Sequence, residues 1–118
     1  QPKSGHGPEA FGDQVYSAVR LENGNTLIGT GNGHSVLEVT PDKKIIWKLD
    51  QYDLPGIALA WVTQVRRLRN GNTLFVNCHA GPKNPQIIEV TPDKEVVWTY
   101  RDFELFGNAL PVAVVDTE

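Results

Sequence analysis

The sequence repeats itself. Asn23-Gly24-Asn25-Thr26-Leu27 recurs 47 residues on as Asn70-Gly71-Asn72-Thr73-Leu74, and Arg20-Leu21 and Arg67-Leu68 precede the two copies. Glu38-Val39-Thr40-Pro41-Asp42-Lys43 recurs 51 residues on as Glu89-Val90-Thr91-Pro92-Asp93-Lys94, and Trp47 recurs at that same spacing as Trp98. The second copy therefore carries 51 − 47 = 4 extra residues, within 78–85. A period near 50 constrains the fold more than any composition figure. Each copy must form one structural unit, and neighbouring units must bury one another's apolar faces.

Each copy reads as four strands. Its apolar runs are short, rich in Val, Ile, Thr and Trp, and bounded by turn residues. The runs are 15–21, 26–30, 35–40 and 44–49 in the first copy, and 62–68, 73–77, 86–91 and 95–100 in the second. A further run, 110–115, stands where the first strand of a third copy would begin. Asn23-Gly24 and Asn70-Gly71 predict two-residue type I′ turns, in which both central residues take positive φ. Pro41-Asp42 and Pro92-Asp93 predict type I turns. In the last strand, alternation sets Ile45, Trp47 and Leu49 on one face, as it does Val96, Trp98 and Tyr100, so the two Trp pack between neighbouring sheets.

Four short strands in a unit of about 50 residues are what a β-propeller blade requires. The expected fold is all-β: two four-stranded antiparallel blades, 15–50 and 51–108, with 109–118 as the first strand of a following blade. Residues 1–14 form a Gly- and Pro-rich leader. The order NGNTL, then EVTPDK, then two hydrophobic residues and Trp, resembles the blades of arylsulfotransferase-like and pyrroloquinoline-quinone-dehydrogenase-like propellers. Their repeats read NGNTL followed by V-x-E-V-x-P-D-G-x-V-V-W, and the resemblance covers nearly all of 15–116. One departure is that Lys43 and Lys94 stand where that pattern has Gly after Pro-Asp, so each Lys must accept a left-handed conformation. The resemblance implies a ring of six to eight blades. Two blades leave apolar faces open, so the missing company is expected from other copies of the chain or from the remaining blades of a longer one.

Composition narrows the functional classes. With 11 basic and 14 acidic side chains the formal net charge is −3, which argues against a nucleic-acid surface, and no apolar run is long enough to span a membrane as a helix. The single cysteine, Cys78, excludes an internal disulfide and any CxxC motif. Gln1 at the start is what a removed secretory signal leaves, pointing to a secreted or periplasmic protein; a cut from a longer chain leaves the same.

Because successive strands run antiparallel, the tight NGN and TPD turns share one side, and the irregular segments 31–34, 50–61, 78–85 and 101–108 share the other. A ligand is expected on the irregular side, where the copies differ. Trp61 and Tyr52 offer flat faces to a sugar or an aromatic ligand. Gln64 and Arg66, on a first strand expected to line a central channel, offer hydrogen bonds to a polar or anionic ligand. His79 titrates near neutral pH and lies in the lengthened loop. His34 reads as a turn-bonding residue, His6 as part of an inert leader, and Cys78 as a small buried hydrophobe. His34, His79 and Cys78 do not make a recognisable metal site.

The resemblance implies sulfuryl transfer through a histidine nucleophile, or a quinone cofactor. The former requires several His and Arg converging on a channel, whereas 15–116 holds only His34 and His79; no cofactor motif is present. The expected function is a non-catalytic binding module whose ligand is a carbohydrate or a protein surface. The alternatives are a fragment of a propeller enzyme with its catalytic residues on other blades, and a purely structural assembly platform.

Overall fold

A computed structural model of the chain describes residues 16–102 and Glu104. The described residues form eight strands in two antiparallel sheets. β1 (Ser17–Arg20), β2 (Thr26–Gly29), β3 (Val36–Val39) and β4 (Ile45–Leu49) pair in chain order. β5 (Trp61–Arg67), β6 (Thr73–Cys78), β7 (Ile87–Val90) and β8 (Val96–Tyr100) repeat the order in the second sheet. All eight fall on the expected runs, trimmed by one or two residues at most ends. The leader and the 110–115 strand lie outside the described residues.

The registers match across the repeat. Val19, Leu27, Glu38 and Trp47 stand side by side across the first sheet, as Arg66, Leu74, Glu89 and Trp98 do across the second. A bulge falls between Glu38 and Val39 and again between Glu89 and Val90. It lets the Pro-Asp hairpin close while keeping Trp opposite Glu.

The NGN turns differ from the expectation. Only Gly24 (φ 90°) and Gly71 (φ 92°) take positive φ there, and Asn23 and Asn70 do not. Gly24 N–H donates to the Leu21 carbonyl at 3.0 Å and Leu21 N–H to the Asn25 carbonyl at 2.8 Å, closing a three-residue loop. This is a type I turn followed by a left-handed Gly, the second most favoured way to join twisted strands. Asn23 stabilises it through its side chain, its Oδ1 accepting Asn25 N–H at 2.9 Å. The Pro-Asp hairpins close as expected, with Lys43 (φ 71°) and Lys94 (φ 68°) in the left-handed position.

The two sheets stack face to face, and the core lies between them. Leu27, Val36 and Leu49 from the first sheet meet Val62, Val65, Phe75, Ile88 and Val90 from the second, with Leu54 and Leu59 of the connecting segment closing the layer. The approach is tightest at Gly29, where an added Cβ would lie 2.8 Å from the Thr63 carbonyl oxygen and 3.1 Å from a Val65 methyl. Ser17 Oγ donates to that same carbonyl. Around this apolar layer sit three polar fasteners. Arg67 Nη2 meets Glu38 Oε1 at 3.0 Å, Trp47 Nε1 donates to the Pro92 carbonyl at 2.9 Å, and Lys94 Nζ lies 3.6 Å from Asp53 Oδ2. The first two join one sheet to the other, and the third ties the connecting segment between the sheets to the last hairpin of the second.

Candidate functional site

The end of the sheets opposite the NGN and TPD turns gathers the β2–β3, β4–β5 and β6–β7 connections and the start of β1. Here Gly31 and Val62 exchange backbone hydrogen bonds at 2.8 and 3.2 Å, tying the first loop to the start of β5. That bridge fixes Trp61, the first residue of β5. Its indole meets Tyr16 edge-on, with ring centroids 4.9 Å apart, and meets His79 edge-on at 5.2 Å. Three rings from three segments thus form one cluster at the junction of the sheets. Tyr16 is half exposed at 51%, while Trp61 and His79 are partly buried.

Of the residues expected in a site, Trp61 and His79 are brought together. Tyr52 stands on the same connection as Trp61 and is 72% exposed, outside the ring cluster. Gln64 and Arg66 are exposed and lie on the face of β5 opposite Val65 and Arg67, turned away from the first sheet. Arg66 lines a cleft of about 710 Å³ at the tight-turn end, between β1 and β5, together with Arg20, Arg67 and Arg69. The arginines make that cleft cationic, but Glu22 also lines it, and Arg67 is already committed to Glu38.

Tyr16 was missed by sequence reasoning, because it fell within the expected first strand 15–21 rather than on an irregular loop and its equivalent in the second copy, Thr63, is not aromatic. Asn77 and Asn84 were missed too, and they brace the loops. Buried Asn77 accepts Ala60 N–H at 2.7 Å and donates to the Ala58 carbonyl at 3.1 Å. Asn84 accepts Ala58 N–H at 2.9 Å and donates to the Ala80 carbonyl at 2.8 Å. The lengthened loop is therefore pinned to the connection that carries Tyr52. That connection is itself half structural: Leu54, Leu59 and Ala60 are buried, while Tyr52 remains outside.

His34 is buried and its Nδ1–H donates to the Ala60 carbonyl at 2.7 Å, at φ 59°. Its ring ties the β2–β3 loop to the β4–β5 connection, 26 residues away, rather than bonding its own turn. Cys78 is buried with its sulfur 3.6 Å from Thr63 Oγ1. Among the described residues no three His, Cys, Asp or Glu side chains are grouped to hold a metal ion.

No protein-family model matches the sequence, and no curated protein does. A solved structure does. The chain is similar to the crystal structure of a protein of unknown function from Bacteroides caccae, at 26% identity and a TM-score of 0.71 over 82% of this chain. The match takes in 38% of the neighbour's chain, so this chain spans about two fifths of the length of the structure it matches. The all-β, two-sheet arrangement is thus shared with part of a larger protein.

Proposed function

We propose that the chain is a pair of β-propeller blades serving as a non-catalytic binding module, with its ligand on the end that carries the irregular loops. The observation that supports this reading most is the Tyr16–Trp61–His79 ring cluster at the junction of the sheets. A half-exposed Tyr16 ring packed against two partly buried rings, all held by a backbone bridge and braced loops, suits the flat apolar face of a sugar, and such rings lose little side-chain freedom on binding. Tyr52 and His79 supply polar tips for its hydroxyls. The equal sheet order, the matching bulges and the face-to-face packing support the blade reading. The ring is then completed by further sheets, and the module acts outside the cytoplasm.

Titration with a glycan array and then with single oligosaccharides tests the ligand. Trp61→Ala is expected to weaken binding of a positive glycan by up to about tenfold, the loss of one aromatic contact, while Trp98→Phe leaves it unchanged. Equal binding by wild type and Trp61→Ala would remove Trp61 from the site.

A further inference from the structure

Four of the chain's five arginines line one cleft, and none of its six lysines does. The cleft lies between β1 and β5 at the tight-turn end. Arg20 comes from β1, Arg66 and Arg67 from β5, and Arg69 from the turn that follows it. A chain whose net charge is −3 therefore holds a locally positive region, and it shares no residue with the ring cluster.

The repeat separates the arginine that the fold uses from those it does not require. Arg20 and Arg67 are equivalents, and Arg67 joins the sheets through Glu38. Arg66 and Arg69 stand where the first copy has Val19 and Glu22. The same strand pairing and the same Asn-Gly turn form in both copies, so the blade requires a positive charge at neither position. Arg20 and Arg66 are exposed, and neither has an ion-pair partner among the described residues.

The lining also states what kind of ligand would suit it. With Arg67 neutralised by Glu38, the cleft carries three guanidinium charges, those of Arg20, Arg66 and Arg69, against the one carboxylate of Glu22. That is an excess of two. Charges of one sign gathered in a concave site concentrate their field there. Guanidinium groups present paired N–H donors that match two oxygens of an oxyanion, whereas a lysine offers a point charge. Beside the arginines lie Val65, which is buried, and Leu21 and Leu68, which are partly buried, so the ligand meets an apolar wall as well. The volume of about 710 Å³ is that of a small-molecule site.

We propose that this cleft binds a small-molecule phosphate monoester, with the phosphate held by Arg20 and Arg66 and an apolar body against Leu21, Val65 and Leu68. A phosphate monoester carries a charge of about −1.5 to −2 at neutral pH, which matches the excess in the lining. A carboxylate or a sulfate ester carries a single charge. The site is separate from the ring cluster, and the inference does not rest on the sugar.

Titration calorimetry of the full chain at low ionic strength tests it, with phenyl phosphate, phenyl sulfate and inorganic phosphate as probes. Wild type is compared with Arg20→Gln, Arg66→Val and Lys44→Gln after circular dichroism shows each to be folded. Arg66→Val installs the residue that the first copy carries at that position, so the strand is expected to form unchanged. Lys44 is exposed and outside the cleft, and its replacement removes the same unit of charge. Phenyl phosphate is expected to bind wild type at least about fivefold more tightly than phenyl sulfate, which lacks the second charge, and more tightly than inorganic phosphate, which lacks the apolar body. Arg20→Gln and Arg66→Val are each expected to weaken phenyl phosphate at least about tenfold, the loss of a hydrogen bond between charged groups. Lys44→Gln leaves it unchanged. No binding of phenyl phosphate at millimolar concentration would overturn the proposal, as would equal losses in Lys44→Gln and the arginine variants. Phenyl sulfate binding as tightly as phenyl phosphate would overturn the match to two charges, and inorganic phosphate doing so would assign the cleft to the free ion instead of an ester.

Discussion

Glu38 shows how one buried charge is made tolerable between two sheets. Burial alone would raise its pKa, but hydrogen bonds from Asn25, Arg67 and Asn23, with the charge of Arg67, outweigh it and hold the carboxyl below its ordinary value of 4.5. A carboxylate lowered by folding contributes stability above that ordinary value and loses it as pH falls through the folded one. Glu38→Gln is expected to cost about 2 kcal/mol at pH 7, the worth of hydrogen bonds to a charged group. The gap to wild type should narrow as urea denaturation is repeated at pH values below 4.5. A gap that persists in acid would mean that shape, rather than ionisation, sets the contribution. Nothing in the sequence near Glu38 announces this role, because Arg67 is 29 residues away and meets it only when the sheets stack.

At the scale of elements, the strands were legible and their turns only partly. Self-comparison placed all eight strands, because a repeated strand-turn pattern confirms itself in its second copy. The Asn-Gly turns were misread because Asn-Gly serves both a two-residue hairpin and a three-residue one. The choice depends on the pairing partner, here Arg20 with Thr26, which lies outside the dipeptide. The Pro-Asp turns were read correctly, including the left-handed Lys that follows them. That conformation crowds a side chain's Cβ, so Lys94→Gly is expected to raise stability by up to roughly 1 kcal/mol. The ion pair with Asp53 is more than a third exposed on both sides and offsets little of this. A lower melting temperature for Lys94→Gly would show that the contact with Asp53 outweighs the backbone term. In the candidate site, Trp61 and His79 were legible as unrepeated polar-aromatic residues on irregular loops. Tyr16 and the bracing asparagines were not, since the Trp61 ring that Tyr16 meets and the backbone groups that the asparagines hold come near only in the folded chain.

For the whole molecule, the stacking of two equivalent sheets sets everything else. It makes the core, positions the ring cluster at one end, and opens the arginine-lined cleft at the other. The placement of Gln64 and Arg66 follows from it as well: alternation around Val65 turns them away from the first sheet rather than into the core. The most direct measurement is a nuclear Overhauser spectrum of methyl- and indole-labelled protein. Stacked sheets predict cross-peaks from the Gly29 Hα to the Val65 methyls and from the Trp47 indole proton to protons around Pro92. Cross-peaks confined within each repeat, with neither of these, would contradict the stacking.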